Sequence, residues 1–174
     1  MGLSPVVVRP GQIFGPGAEK VPPYGTLALG GKWIVVGSGR IPLPLVYVDD
    51  VVDALLLASE RKDVCGKIFQ LVDDVRITQR EYIDECRRHI GDLKASYVSR
   101  AVFYAAGIAI GALGALLKRS VPLTRYKVSS IREIRTFDCS AAREELGWQP
   151  QVGVKRGMEL MFAPVSSQKA MAAR

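Results

Sequence analysis

The chain has 174 residues, 48% of them hydrophobic and 24% charged, a balance that suits one globular domain with a real core and excludes a disordered segment. Its formal net charge is +7, with Lys118, Arg119, Arg125, Lys127, Arg132 and Arg135 gathered around a single acid, Glu133. Aromatics do not alternate with these bases and no nucleic-acid motif accompanies them, so nucleic acid is not expected as a partner and a solvated basic face is the default.

Cys65, Cys86 and Cys139 are widely spaced, which argues against a disulfide framework or a zinc site and fits a reducing compartment. No secretory signal is read at the start, so a cytoplasmic location is expected. In chain order, Val6–Val8 is a β-branched run that reads as a buried strand. Pro10 and Gly11 stop it, and Gly15, Pro16 and Gly17 make a second break. A buried strand that ends in a Gly/Pro-rich loop is where open α/β sheets bind ligands. Leu27, Ala28 and Leu29 suggest a helical turn. Trp33–Val36 reads as a strand closed by the Gly37-Ser38-Gly39 turn. Pro42 and Pro44 forbid a helix or a central strand across Ile41–Leu45.

Leu45–Val48 is the next expected strand, with Asp49 or Asp50 as N-cap of the helix that follows and Asp53 in its first turn. That helix is apolar nearly all round and is expected to be buried. Gly66–Val72 alternates like a strand. Thr78-Gln79-Arg80-Glu81 is a capping box, opening a helix to about Ile90 with Tyr82, Ile83, Cys86 and Ile90 on one face. His89, the only histidine, sits at the end of that helix, where it caps rather than catalyses. Ala101–Leu117 carries no charge and is shorter than the roughly twenty apolar residues that span a bilayer. It reads as a helix, buried or touching a membrane surface. A helix over 124–130 and a short extended piece at Arg135–Phe137 follow. Asp138 or Ser140 caps a helix that ends at Leu146, with Gly147 as its left-handed stop and Trp148 folding back on the core. A last helix covers about Val154–Phe162, and 164–174 is read as a flexible tail.

Four blocks then stand in a recognisable order: Arg9-Pro10-Gly11-Gln12-Ile13-Phe14-Gly15-Pro16-Gly17, Val46-Tyr47-Val48-Asp49-Asp50-Val51-Val52-Asp53-Ala54, Gly66-Lys67-Ile68-Phe69-Gln70-Leu71, and Asp138 with Ser140-Ala141 and Leu146-Gly147-Trp148-Gln149-Pro150. Together they resemble the C-terminal half of extended short-chain dehydrogenases/reductases, the NAD-dependent epimerase/dehydratase family. The resemblance implies an α/β fold, the incomplete C-terminal part of a Rossmann-like enzyme with its substrate-binding subdomain, over residues 1–163. It implies that main-chain groups of Pro10, Gly11, Gln12 and Ile13 face the nicotinamide of NAD or NADP. It implies substrate contacts at Gln12, where the family often has Asn, at Phe14, and at Arg40 and Leu43. Enzymes of this family acting on nucleotide sugars carry an Arg at the position of Leu43, so an apolar alcohol or ketone, sterol-like, is the expected substrate.

The family's Gly-rich pyrophosphate loop and its Tyr-x-x-x-Lys pair have no counterpart in the sequence. No residue is therefore assigned as catalytic, no metal ligand is assigned, and neither NAD nor NADP is expected to bind this chain tightly. The expected partners are a missing N-terminal Rossmann half, a small-molecule substrate, and a membrane surface through residues 101–117. The alternative is a ligand-binding or membrane-associated interaction module without catalysis.

Overall fold

The computed structural model describes residues 4–116 and 137–163. They divide into two compact units, one built from residues 4–21, 43–77 and 137–163, the other from 22–42 and 78–116. The expected helix over 124–130, residues 135–136 of the extended piece and the tail lie outside the described residues, as does the basic span at Lys118–Arg135.

In the first unit, β1 (Val7–Pro10) pairs in parallel with β6 (Ile68–Leu71), and β2 (Gln12–Phe14) pairs in parallel with β5 (Leu45–Tyr47). The first strand runs to Pro10 rather than stopping before it. Pro10 sits at the strand's end, where its missing N–H costs no ladder bond. Helix α1 (Val48–Glu60) follows β5 directly, and the short α4 (Ser140–Glu144) and α5 (Gly153–Met161) complete the unit. Val46, Val51, Ala54, Val64, Phe69, Leu71, Ala142, Leu146 and Trp148 form one buried cluster. Each large side chain enclosed there contributes about 1.5–3 kcal/mol. Gly147 takes φ +73° and Trp148 N–H donates to the Ala142 carbonyl at 2.9 Å, so the helix stop and the returning indole are both as read from the sequence.

Helix α1 differs from expectation. It buries Asp50, Val51 and Ala54 but leaves Val52, Leu55 and Leu56 about half exposed. Positions 52, 55 and 56 share one helix face, so α1 is covered on one side only. Asp49 and Asp50 do not cap it either. Tyr47 is the N-cap residue, with no side-chain bond to the helix, and the two acids lie in the first turn.

In the second unit, β3 (Thr26–Leu29) and β4 (Lys32–Val36) form an antiparallel hairpin, and β7 (Lys94–Val98) pairs with β4 in parallel. The helical turn expected at Leu27–Leu29 is thus a strand. Gly30 and Gly31 take φ +56° and +73° between the paired residues Leu29 and Lys32. Two consecutive left-handed residues make the two-residue turn whose twist matches a hairpin, and that pairing overrides local helix preference. Helix α2 (Gln79–His89) begins with both halves of the capping box: the Thr78 hydroxyl accepts from Glu81 N–H, and the Glu81 carboxylate accepts from Thr78 N–H at 2.6 Å. It buries Tyr82, Ile83 and Cys86, and burial pushes the Cys86 thiol up to about 12. Helix α3 (Arg100–Leu116) packs Phe103 against Val36, Leu27 and Val98. The expected helix is present, and of its two readings the buried one does not hold over 101–109, where Val102, Tyr104 and Ile108 are about half exposed. Among the described residues no helix is long and apolar enough to cross a membrane.

Candidate functional site

The stretch read as the cofactor wall changes strand partner in its middle. Val7 N–H donates to the Lys67 carbonyl, and Gly11 N–H to the Leu71 carbonyl, both at 2.9 Å. The next amide, Gln12 N–H, donates to the Pro44 carbonyl at 2.7 Å. β5 enters beside the chain that continues from β6, since Asp73 N–H donates to the Leu45 carbonyl at 2.9 Å. Two consecutive amides therefore face the same side, which is a bulge. In parallel pairing alternate residues bond the partner. With Gly11 and Gln12 turned toward β6 and β5, the carbonyl of Pro10 and the amide of Ile13 face the opposite edge. No described strand pairs with that edge.

Gly11 is required here by space. A Cβ would stand 2.2 Å from the Pro44 carbonyl oxygen and 3.0 Å from Val72 Cγ2. The amides of Gly11 and Gln12, both expected to face a cofactor, are spent on holding the sheet together. Ile13 is 45% exposed. Phe14 and Leu43, expected to touch substrate, are each 1% exposed. The Phe14 ring meets Tyr47 edge-on at 5.6 Å between centroids. Leu43 N–H donates to the Ile77 carbonyl at 2.8 Å. Arg40 lies in the other unit and is exposed.

Two buried carboxylates hold the far side of this site. Asp50 Oδ1 accepts from the amides of Gln151 and Val152 at 2.7 and 2.9 Å, and its Oδ2 from Gly153 N–H at 3.0 Å. Asp73 Oδ2 accepts from Val154 N–H at 2.8 Å, and its Oδ1 from Val75 N–H at 2.7 Å. The acid read as a cap for its own helix thus caps α5, a hundred residues downstream, and places a negative charge at that helix's positive end. Trp148 Nε1 donates to the Asp50 carbonyl at 2.7 Å, tying the same point from the other side. Helix α5 then lies so close that a Cβ on Gly157 would stand 2.6 Å from Tyr47 Cδ2 and 2.8 Å from Phe14 Cζ. Partial burial, then Asp50 and Asp53, raise the Asp49 carboxyl above its ordinary value. Burial, then Asp49 and Asp50, likewise raise the Tyr47 phenol.

Cys139 and His89 have local partners. Cys139 Sγ faces the Val72 carbonyl at 3.7 Å, and burial raises its thiol. His89 ends α2 with Nε2 3.3 Å from Glu85 Oε1. Among the described residues no group of acids, cysteines and histidine could hold a metal ion. The roles of Asp73 and Gly157 were not read from the sequence. Both are defined by partners distant in the chain, and only the long-range pairing reveals them.

The chain is 26% identical over 172 residues to 2-alkyl-3-oxoalkanoate reductase of Stenotrophomonas maltophilia, covering 92% of this chain and 51% of the reductase. It is 28% identical over 184 residues to 3beta-hydroxysteroid-dehydrogenase/decarboxylase isoform 1 of Arabidopsis thaliana, covering 97% of this chain and 42% of that protein. The chain thus spans about half the length of the curated relatives it matches. Its fold matches MoeE5 in complex with UDP-glucuronic acid and NAD, with a TM-score of 0.59 at 17% identity over 96% of this chain and 47% of that one. The fold is therefore the Rossmann-like α/β fold of epimerase/dehydratase structures, and residues 1–71 match the family described as NAD dependent epimerase/dehydratase.

Proposed function

We propose that this chain supplies the nicotinamide-facing wall and the substrate-binding portion of an NAD(P)-dependent oxidoreductase or epimerase, corresponding to the C-terminal half of an extended short-chain dehydrogenase/reductase. The bulge at Gly11 carries the reading. It turns the Pro10 carbonyl and the Ile13 amide away from β5 and β6. A nicotinamide carboxamide offers an NH2 donor and a carbonyl acceptor, and these two main-chain groups are their complement. When bound, NAD(P) supplies the hydride acceptor or donor. The chain's own residues position it: Gly11 lets the strand switch partners, and Asp50 and Asp73 fix α5 behind Phe14 and Tyr47.

The Gly-rich loop and the Tyr-x-x-x-Lys relay are assigned to an N-terminal Rossmann half, so the chain by itself is inactive. Coverage of about half of each relative supports this division. So does the edge of β1 and β2 with which no described strand pairs, the kind of edge a further strand can join. The substrate is an apolar alcohol or ketone that carries a carboxyl group. Leu43 cannot offer the fork of donors that a diphosphate needs. The names of the two relatives point the same way, one a reductase of an oxoalkanoate, the other a steroid dehydrogenase that is also a decarboxylase. A second reading, contact with a membrane surface, is favoured by one observation, the exposed Val102, Tyr104 and Ile108 of α3.

The test is a chimera that joins this chain to the part of the Stenotrophomonas reductase it does not match. It is assayed for NADH and NADPH oxidation with a 2-alkyl-3-oxoalkanoate, and with UDP-glucose for reduction of NAD or NADP and for epimerisation of the sugar. Turnover of the oxoacid is expected. A folded chimera that binds cofactor but turns over only the nucleotide sugar, or neither compound, overturns the reading.

A further inference from the structure

The second unit contains a cavity of about 350 Å³, lined by Val36, Gly37, Ser38, Arg40, Ile41 and Arg100. That volume lies within the range of small-molecule sites. Its lining is divided by chemistry. Val36 and Ile41 are buried aliphatic side chains, 3% and 7% exposed. Arg40 and Arg100 are exposed guanidinium groups. Among the described residues neither Arg40 nor Arg100 is in an ion pair, whereas Glu81 is taken by Thr78, Asp84 by Arg87, and Glu85 by Arg88 and His89.

The loop between the two arginines is held in shape. Gly37 N–H donates to the Val98 carbonyl at 2.8 Å, and Arg80 N–H to the Gly39 carbonyl at 2.9 Å. Arg80 Nη2 donates to the Ser38 carbonyl at 3.0 Å, while the same guanidinium lies 4.2 Å over the Tyr97 ring. Gly39 has φ +74°, and a Cβ there would stand 2.6 Å from Tyr97 Cε1. Arg100 opens α3, with Ser99 Oγ accepting from Val102 N–H at 3.2 Å. A cation at a helix N-terminus opposes the helix dipole. Two unpaired like charges on one cavity, one of them at the wrong end of a helix, are unfavourable until an anion enters.

We propose that this cavity binds the carboxylate of an apolar acid, with Arg40 and Arg100 holding the carboxylate and Val36 and Ile41 receiving the adjoining hydrocarbon. Guanidinium groups match carboxylate geometry, and the aliphatic floor selects against a fully hydrated anion such as phosphate. Arg100 thus joins Arg40 as a ligand-selecting residue of this cavity, and the binding does not rest on the oxidoreductase reading.

The test is calorimetry of the full chain, without cofactor, against decanoate, decanol, inorganic phosphate and UDP. Decanoate is expected to bind saturably, and about tenfold more tightly than decanol, the value of one charged hydrogen-bonded contact. Arg40→Gln and Arg100→Gln should each weaken decanoate about tenfold without lowering the thermal unfolding temperature of the free chain, because both side chains are exposed and their charges repel until an anion binds. Equal binding of decanoate and decanol, or decanoate binding untouched by both substitutions, overturns the proposal. UDP binding more tightly than decanoate with the same arginine dependence overturns it in favour of a diphosphate site. A chimera that reduces the oxoacid while decanoate fails here would sink the pocket alone. Decanoate binding with an inactive chimera would sink the oxidoreductase reading alone.

Discussion

Replacing Gly11 by Ala probes the strand switch on which the candidate site is built. The new methyl carbon would stand 2.2 Å from the Pro44 carbonyl oxygen, and that atom belongs to the backbone, so no rotamer change relieves the clash. The two strands must separate. Overpacking of this kind costs about 1–3 kcal/mol. Separation also weakens the bond from Gln12 N–H to the Pro44 carbonyl, 2.7 Å long, worth about 0.5–1.5 kcal/mol net. The expected loss is about 3 kcal/mol, a large part of the roughly 5–15 kcal/mol that stabilises a typical protein. Gly17→Ala in the same unit is the control. Its φ is +91° with no atom within 4 Å of the added carbon, so only backbone strain of about 1–2 kcal/mol applies. Urea unfolding followed by the fluorescence of Trp148, in a Trp33→Phe background, measures both. A Gly11→Ala loss no larger than that of Gly17→Ala would refute the claim that close approach at Pro44 dictates glycine.

Asp50→Ala removes the carboxylate that accepts from three amides at the start of α5 and should cost about 3 kcal/mol by the same assay. Asp50→Asn keeps one oxygen and should cost about half as much; equal stability of all three proteins would remove Asp50 as the anchor. Glu81 is held below the usual glutamate value by the backbone and then the hydroxyl of Thr78. A depressed carboxyl stabilises above its unfolded value of 4.5 and loses that contribution as pH falls through its folded value. Glu81→Gln should therefore lower stability at pH 7 by a few tenths of a kcal/mol, since the group is exposed. The two proteins should converge near pH 3, and a constant difference in melting temperature at both pH values would contradict the account. In liposome flotation, the exposed α3 face should carry part of the chain with anionic vesicles and less with neutral ones. Recovery wholly in the soluble fraction with both would remove the membrane reading.

Local chemistry was legible in the sequence. The capping box at Thr78–Glu81, the stop at Gly147 and the alternation of Ile68–Leu71 need only neighbours in the chain. What was not legible depends on distant partners. Leu27–Leu29 has no strong strand signature and becomes a strand because Gly30-Gly31 folds it onto β4. The strand at Lys94–Val98 was not read, although alternate residues point to one face, because its partner β4 lies some sixty residues earlier. Asp50 satisfies a local capping rule so well that its actual partners at Gln151–Gly153 could not be inferred. The apolar sequence of α1 predicts burial all round, but the elements packed on it cover one face.

The most direct test of the central claim is calorimetric titration of the purified chain, alone, with NAD and NADP. The account gives this chain one wall of the nicotinamide site and assigns the pyrophosphate loop elsewhere, so the few remaining contacts should leave affinity on the order of millimolar or weaker. No saturable heat is expected in the sub-millimolar range from the chain alone, with binding appearing in the chimera. Saturable binding of either cofactor by the chain alone below about 1 mM would show that the site is complete within these residues and would contradict the account.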